Sequence, residues 1–259
     1  MNGNKHRALV LQERDRHLLR ELAVMRVFDR EQAKTVAGFR STTRVNSRLL
    51  RLTQAGLLRR SFLGTVAGGR KAIYALSLAG AKLLGVSYRS PRRGHDEVLV
   101  ADFFVAHQLS INELYCLLKY RQISVADAKF LRWMNFSEPL DSGSPLIPDG
   151  YVEIASPKGI FVAFLEVDLG HEGRMVWKKK IEGYLRYAIS GNFTNRFGKA
   201  QFRVLVVTKS ERSLRLIRSV ASSLTDKVFR FATFESIYRD GFWSSVWLRP
   251  RGDERQSLL

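Results

Sequence analysis

Residues 48–63 read RLLRLTQAGLLRRSFL, and residues 68–84 read GGRKAIYALSLAGAKLL. These two strings decide the fold of the first third of the chain. Val45, Leu49, Leu50 and Leu52 supply the apolar side of a helix that Ser41 opens and Gly56 closes, because residues three and four apart share a helical face. Two strand-like runs follow, Leu57 to Leu63 and Lys71 to Leu76, joined by the glycine-containing turn Gly64 to Arg70. A short helix, Leu78 to Leu84, closes the segment. Upstream, Leu18, Leu19, Leu22, Ala23 and Val27 form one helical stripe within residues 13–27. Asp29 then suits the N-cap of a short helix through Ala37, and Gly38 suits the turn that ends it.

Three helices, a hairpin and a last short helix make the plan of a winged helix-turn-helix, whose third helix enters the DNA major groove. On that helix Arg44, Asn46, Ser47, Arg48 and Arg51 occupy the non-apolar positions, and Arg44 and Arg48 are the candidates for base edges. Arg40 near the helix start, with Arg70 and Lys71 at the hairpin, is placed for phosphates, which position a protein without reading sequence. The two strings resemble the winged-helix domains of many bacterial regulators, in which a helix end of the form R-L-x-x-L-x-x-x-G-L-L precedes the wing. Double-stranded DNA is the partner this implies, with a protein-binding winged helix as the alternative.

Charge is distributed accordingly. Residues 1–94 hold twenty Lys and Arg against five acids, so they carry about +15 of the formal +19. Such a segment favours a polyanion, since neutralising phosphates releases counterions; the competing reading is a basic surface kept for solubility. The 259 residues, 45% of them apolar, suffice for two cored domains. No run approaches the ~20 apolar residues of a membrane span, and the start lacks a signal-peptide pattern. A cytoplasmic protein is expected. A lone cysteine, Cys116, and five histidines without zinc-ligand spacing exclude a disulfide framework and make zinc a poor fit. The expected boundaries are a winged-helix domain at 1–88, a linker at 89–95, an α/β domain with a mixed sheet at 96–248 and a disordered tail at 249–259.

The second domain carries an acidic pattern. Residues 148–168, PDGYVEIASPKGIFVAFLEVD, read as a hairpin with its turn at Ser156 to Gly159. Pairing Ala155 with Ile160 sets Asp149 opposite Glu166, and Asp168 follows on the same face. Val152, Ile154, Phe161, Ala163, Leu165 and Val167 would form the core side. Three carboxylates so close raise one another's pKa unless a cation neutralises them, and Mg²⁺ is the natural ion. Asp149 in a plain turn with Glu166 paired to a lysine is the bland alternative. A helix follows with Trp177, Ile181, Tyr184, Leu185 and Ala188 at packing spacing. Lys180 lies at the edge of that stripe, able to lean toward the carboxylates. Elements expected besides are a helix from about 96 to 118, strands at 129–136, 201–208 and 227–233, and a helix at 213–224.

That order, with Pro148-Asp149 on one strand and Glu166-x-Asp168 on the next, resembles the PD-(D/E)xK nuclease fold. The whole pattern, a winged helix followed by PD…LEVDLG…Lys180-x-x-x-Tyr184, resembles the replication-relaxation family of bacterial and mobile-element proteins. The resemblance implies a DNA-binding protein of plasmid or mobile-element replication, transfer or transcription control. It further implies Asp149, Glu166 and Asp168 as catalytic and metal-binding residues, with Lys180 beside the attacking water and Tyr184 behind it. One position departs from the nuclease pattern: Asp168 stands where lysine is usual. Two outcomes follow, a degenerate nuclease-like domain or, with Lys180 replacing the missing lysine, an Mg²⁺-dependent endonuclease targeted by the winged helix. An adaptor without DNA contact conflicts with the charge. A relaxase using a His-x-His pair is a poor fit, because no such pair is present. A homodimer on a symmetric site would suit the DNA reading, with the aromatic run 229–247 as its interface or as ordinary core.

Overall fold

The computed structural model describes residues 9–64, 68–88, 98–121, 123, 125, 127–141 and 145–259, without the side chains of 98–101. The expected linker at 89–95 and the tip of the hairpin turn lie outside these residues. The chain divides into two compact units, Met1–Cys116 and Leu117–Leu259. Among the described residues it is a mixed α+β protein of nine helices, a three-stranded antiparallel sheet and a seven-stranded mixed sheet.

In the first unit, α1 (Glu13–Met25) buries Leu18, Leu19 and Leu22, and ends before Val27. Val27 belongs instead to β1 (Val27–Asp29), a strand too short to show a period in the sequence. Asp29 caps α2 (Arg30–Val36) by accepting the Gln32 N–H at 2.9 Å. After Gly38, whose φ of +62° suits glycine, Ser41 opens α3 (Thr42–Gln54), which buries Val45, Leu49 and Leu52 but leaves Leu50 exposed. Strands β2 (Leu58–Gly64) and β3 (Arg70–Leu76) form the hairpin, and β1 adds to the far edge of β3 to give the order β1-β3-β2. Helix α4 (Leu78–Leu84) is capped by Ser77, which accepts the Gly80 N–H at 2.9 Å.

Helix α5 (Val98–Tyr120), expected to open the second domain, is secured to the first unit along residues 109–115. The Asn112 side-chain amide donates to the carbonyls of Met25 and Val27 at 3.1 and 2.6 Å, bridging the break between α1 and β1. Gln32 donates to the Leu109 carbonyl, and the Tyr115 hydroxyl donates to buried Glu21 at 2.5 Å. The compact unit therefore continues past the basic segment.

The second unit holds β4 (Lys129–Met134), β5 (Gly150–Ser156), β6 (Gly159–Asp168), α6 (Arg174–Ile189), α7 (Asn192–Phe197), β7 (Arg203–Thr208), α8 (Glu211–Ser222), β8 (Phe229–Thr233), α9 (Phe234–Asp240), β9 (Trp247–Leu248) and β10 (Arg255–Gln256). The sheet runs β10-β9-β8-β7-β6-β5-β4, parallel between β6, β7 and β8 and antiparallel on either side. The hairpin register is the expected one, with Ala155 opposite Ile160 and Gly150 opposite Leu165. Its consequence for burial differs. Both faces are buried: Val152, Ile154, Ala163 and Leu165 on one side, and on the carboxylate side an aromatic core of Tyr151, Phe164, Tyr184, Tyr187, Phe193 and Phe202. In that core Tyr187 takes the place expected of Ala188, which is exposed. The short helix α7 went unforeseen, and it brings Phe193 and Phe197 against Phe164.

Residues 249–259, expected to be a disordered tail, are secured. Arg255 and Gln256 pair with β9, while Arg218 binds the carbonyls of Arg249 and Gly252 and the carboxylate of Asp253. Two-residue strands have no readable period, and Arg218, which holds the tail, lies more than thirty residues away in sequence. Phe229, Phe231, Phe242, Trp243 and Trp247 of the run at 229–247 are buried within the chain, so these aromatics are core.

Candidate functional site

The basic face of the first unit is built on α3. Its buried stripe fixes the rotation of the helix, which leaves Arg44, Asn46, Ser47 and Arg51 exposed, with Arg40 exposed just before it. Arg70 is exposed at the start of β3. Two of the expected contacts are placed otherwise. The Arg48 guanidinium is turned inward onto Asp15 of α1, donating from Nε to Oδ1 at 2.6 Å and from Nη2 to Oδ2, and Nη2 also donates to the Val10 carbonyl. The hydrogen bonds to Asp15 raise the Arg48 pKa above its ordinary value despite partial burial. Arg48 therefore clamps α3 to α1 with its guanidinium on Asp15, whereas the expectation from spacing had it face a base edge. Lys71 donates to Asp29 Oδ2 at 2.9 Å, tying the hairpin to the N-cap of α2. Sequence reasoning missed Arg60 and Phe62, exposed neighbours on one face of β2, with the guanidinium 5.4 Å from the ring centre. Alternation along the strand was the signal that could have found them.

The second unit brings together most of the acidic pattern. Glu166 is completely buried beneath α6. Its Oε1 accepts the Tyr184 hydroxyl at 2.6 Å, and its Oε2 accepts Lys180 Nζ at 3.0 Å. Lys180 also meets Glu172 at 2.8 Å and lies 4.9 Å from the Trp177 ring centre. Asp149, at the head of β5, accepts the Val167 N–H on Oδ2 at 2.7 Å. Burial pushes Glu166 up to about 7; the Lys180 charge pulls it down, and Asp149 pushes it up again. Burial lowers Lys180, but Glu166, Glu172 and Asp149 outweigh it and hold the ammonium above its usual range. Tyr184 is held well above its ordinary value by burial and then by Glu166, so it remains a donor.

Asp168 ends β6, its Oδ2 accepts the Gly170 N–H at 3.0 Å, and it lines a cleft of about 420 Å³ with His171, Ser210, Arg212, Ser213 and Glu172, the acid that Lys180 also meets. The other Asp168 oxygen, Oδ1, is buried without a hydrogen-bond partner among the described residues. Glu172, in the loop before α6, was missed. No helical or strand spacing links it to Glu166, so only the fold could reveal its part in the cluster.

A family model described as replication-relaxation matches residues 19–201, well over half of the chain and across both units. The chain belongs to the replication-relaxation family. No curated protein and no solved structure matches it significantly. Membership in the replication-relaxation family agrees with the pattern read from Glu166-x-Asp168 and Lys180-x-x-x-Tyr184. No helix among the described residues is long and apolar enough to cross a membrane.

The divalent ion implied by the nuclease resemblance does not fit the residues of this replication-relaxation protein as they are arranged. Both Glu166 oxygens are engaged by Tyr184 and Lys180, one Asp149 oxygen is capped by a backbone N–H, and Asp168 is turned into its cleft. Among the described residues no three His, Cys, Asp or Glu side chains are grouped to hold a metal. The Lys180 ammonium supplies the positive charge beside buried Glu166 and beside Glu172. What the cluster does chemically is balance charge, tying α6 to β6 through a buried acid.

Proposed function

We propose that this replication-relaxation protein is a double-stranded DNA-binding protein of mobile-element replication or transfer. Its first unit acts as a winged helix, and its second is a nuclease-like domain whose acidic site is neutralised by lysine. The carrying observation is the exposed set Arg40, Arg44, Asn46, Ser47 and Arg51 on and before α3, beside a hairpin with exposed Arg60 and Arg70. The strand order β1-β3-β2 packed with three helices supports it, and so does the basic excess of the same segment. In this reading Arg44 and Asn46 face base edges, and Arg40, Arg51 and Arg70 meet phosphates.

The test is a gel-shift titration with random and selected duplexes. Arg44→Ala should weaken the selected site by about 1–3 kcal/mol and relax its sequence preference, whereas Arg70→Ala should weaken all sequences alike. Affinity indifferent to salt and to both changes would refute the assignment. The endonuclease reading has one observation in its favour, the proximity of Asp149, Glu166 and Lys180. It requires nicking of supercoiled plasmid in Mg²⁺ or Mn²⁺ that disappears in Asp149→Ala with Glu166→Ala; the lysine-neutralised site yields none.

A further inference from the structure

Three arginines stand side by side on the second unit. Strands β8 and β9 are antiparallel with Phe231 opposite Leu248, which places Arg230 and Arg249, one residue further along, directly across from each other. Strands β7 and β8 are parallel with Leu205 opposite Arg230, so Arg203, two residues before Leu205, lies diagonally beside Arg230 on the same face. Adjacent strands are about 4.8 Å apart, so the three positions cross roughly 10 Å of sheet. Like charges directly opposed across a ladder are destabilising. Arg230 is half-buried, and that burial, followed by the charges of Arg203 and Arg249, lowers its guanidinium to about 10.

Local acids do not relieve the repulsion. Asp253 is paired with Arg218, and Glu211 with Arg255. Among the described residues none of the three arginines has a carboxylate partner: Arg230 donates to the Phe229 carbonyl and Arg249 to the Gln256 side chain. A sheet margin that keeps three unneutralised guanidiniums together is built for an anion from outside. Guanidinium favours phosphate, which it binds through paired N–H donors. A duplex strand carries one phosphate per about 3.4 Å of axis, so ~10 Å corresponds to roughly three phosphates.

We infer that Arg203, Arg230 and Arg249 form a second phosphate-binding surface, on the unit that does not carry the winged helix, and that it takes the sugar–phosphate backbone of DNA. The inference rests on the DNA-binding reading but uses different residues. The cluster trades stability of the free protein for contact with the polyanion.

The experiment uses the full chain and its variants Arg203→Gln, Arg230→Gln and Arg249→Gln, alone and combined, with Arg44→Ala in parallel. Binding to fluorescent random-sequence and selected duplexes is followed from 50 to 200 mM salt, and thermal unfolding is measured without DNA. Each lost phosphate contact should reduce the log–log salt slope by about 0.9, so the triple variant should lose between two and three units and bind every sequence more weakly. Arg230→Gln should at the same time raise the melting temperature. An unchanged slope and affinity in the triple variant, while Arg44→Ala still weakens the selected site, would overturn this surface and leave the winged helix standing. A parent chain that fails to bind DNA would overturn both. If the triple variant does not fold, exposed Arg249→Gln alone decides, by a slope reduced by about one unit or unchanged.

Discussion

Glu166 shows how much a single carboxyl depends on its neighbours. Its folded pKa, about 7, lies above the ordinary 4.5. The stability it contributes is therefore complete below about 4.5 and is lost as pH rises through about 7. Glu166→Gln should flatten stability over that window, as read from urea midpoints at pH 5, 6, 7 and 8. Lys180→Met should cost less at pH 5, where Glu166 is neutral and the pairing with Glu172 is what is lost, than at pH 8, where a buried carboxylate also loses its cation. Breaking a fully buried pair costs about 3–5 kcal/mol. Because the Lys180 side chain keeps 23% exposure, about 2–3 kcal/mol is expected at pH 8, and adding Glu166→Gln should recover most of it. Arg48 and Arg44 make a second contrast. Arg48→Ala strands buried Asp15 and should destabilise the fold by about 2–3 kcal/mol, while Arg44→Ala should leave urea unfolding within about 0.5 kcal/mol of the parent. Equal effects of the two on unfolding would mean that the clamp to α1 carries no weight.

At the level of elements, α4 depends on one close approach. A β-carbon at Gly80 would lie 2.3 Å from the Leu57 carbonyl oxygen, a backbone atom that Ser77 N–H already holds at 3.1 Å. Neither side can yield cheaply, so Gly80→Ala should destabilise the first unit by about 1–3 kcal/mol in chemical denaturation, despite the better helix propensity of alanine. The helix itself was legible, from Ser77 as its cap and the apolar run behind it; the contact with Leu57 was not, because it joins residues 23 apart. The same division holds elsewhere. The turn at Ser156 to Gly159 fixes the β5–β6 register, which made the approach of Asp149 to Glu166 readable from spacing. Strand alternation also put Glu166 and Asp168 on one face, but it could not reveal that Asp168 ends its strand and lines a cleft with Glu172 and the start of α8. Nor does the stripe of α3 disclose that Arg48 reaches Asp15, 33 residues earlier. Local periodicity records which way a side chain points, and the long-range partner waits for the fold.

For the whole molecule, charge and burial assign different work to the two parts of the sequence. Residues 1–94 carry about +15 and the remaining 165 only about +4, yet net charge is a poor guide to where phosphates can bind. Arg48 and Lys71 count in the first excess and are spent on Asp15 and Asp29. Arg203, Arg230 and Arg249 lie in the nearly balanced part and among the described residues have no carboxylate partner. The unpaired bases should therefore govern the salt dependence of DNA binding. Arg40, Arg51 and Arg70, the phosphate contacts of the first unit, would at about 0.9 per contact give a slope of about −2.7 for the parent if they acted alone. With the three arginines of the second unit engaged as well, the slope should be about −5.4. Fluorescence anisotropy on a random duplex between 50 and 200 mM salt separates these values. Neutralising Lys71 by Lys71→Gln should leave the slope unchanged while lowering stability, because that charge is already paired with Asp29. A slope that fell by a full unit in Lys71→Gln would mean that the ion pair opens on DNA and that formal charge, rather than the unpaired remainder, sets the affinity.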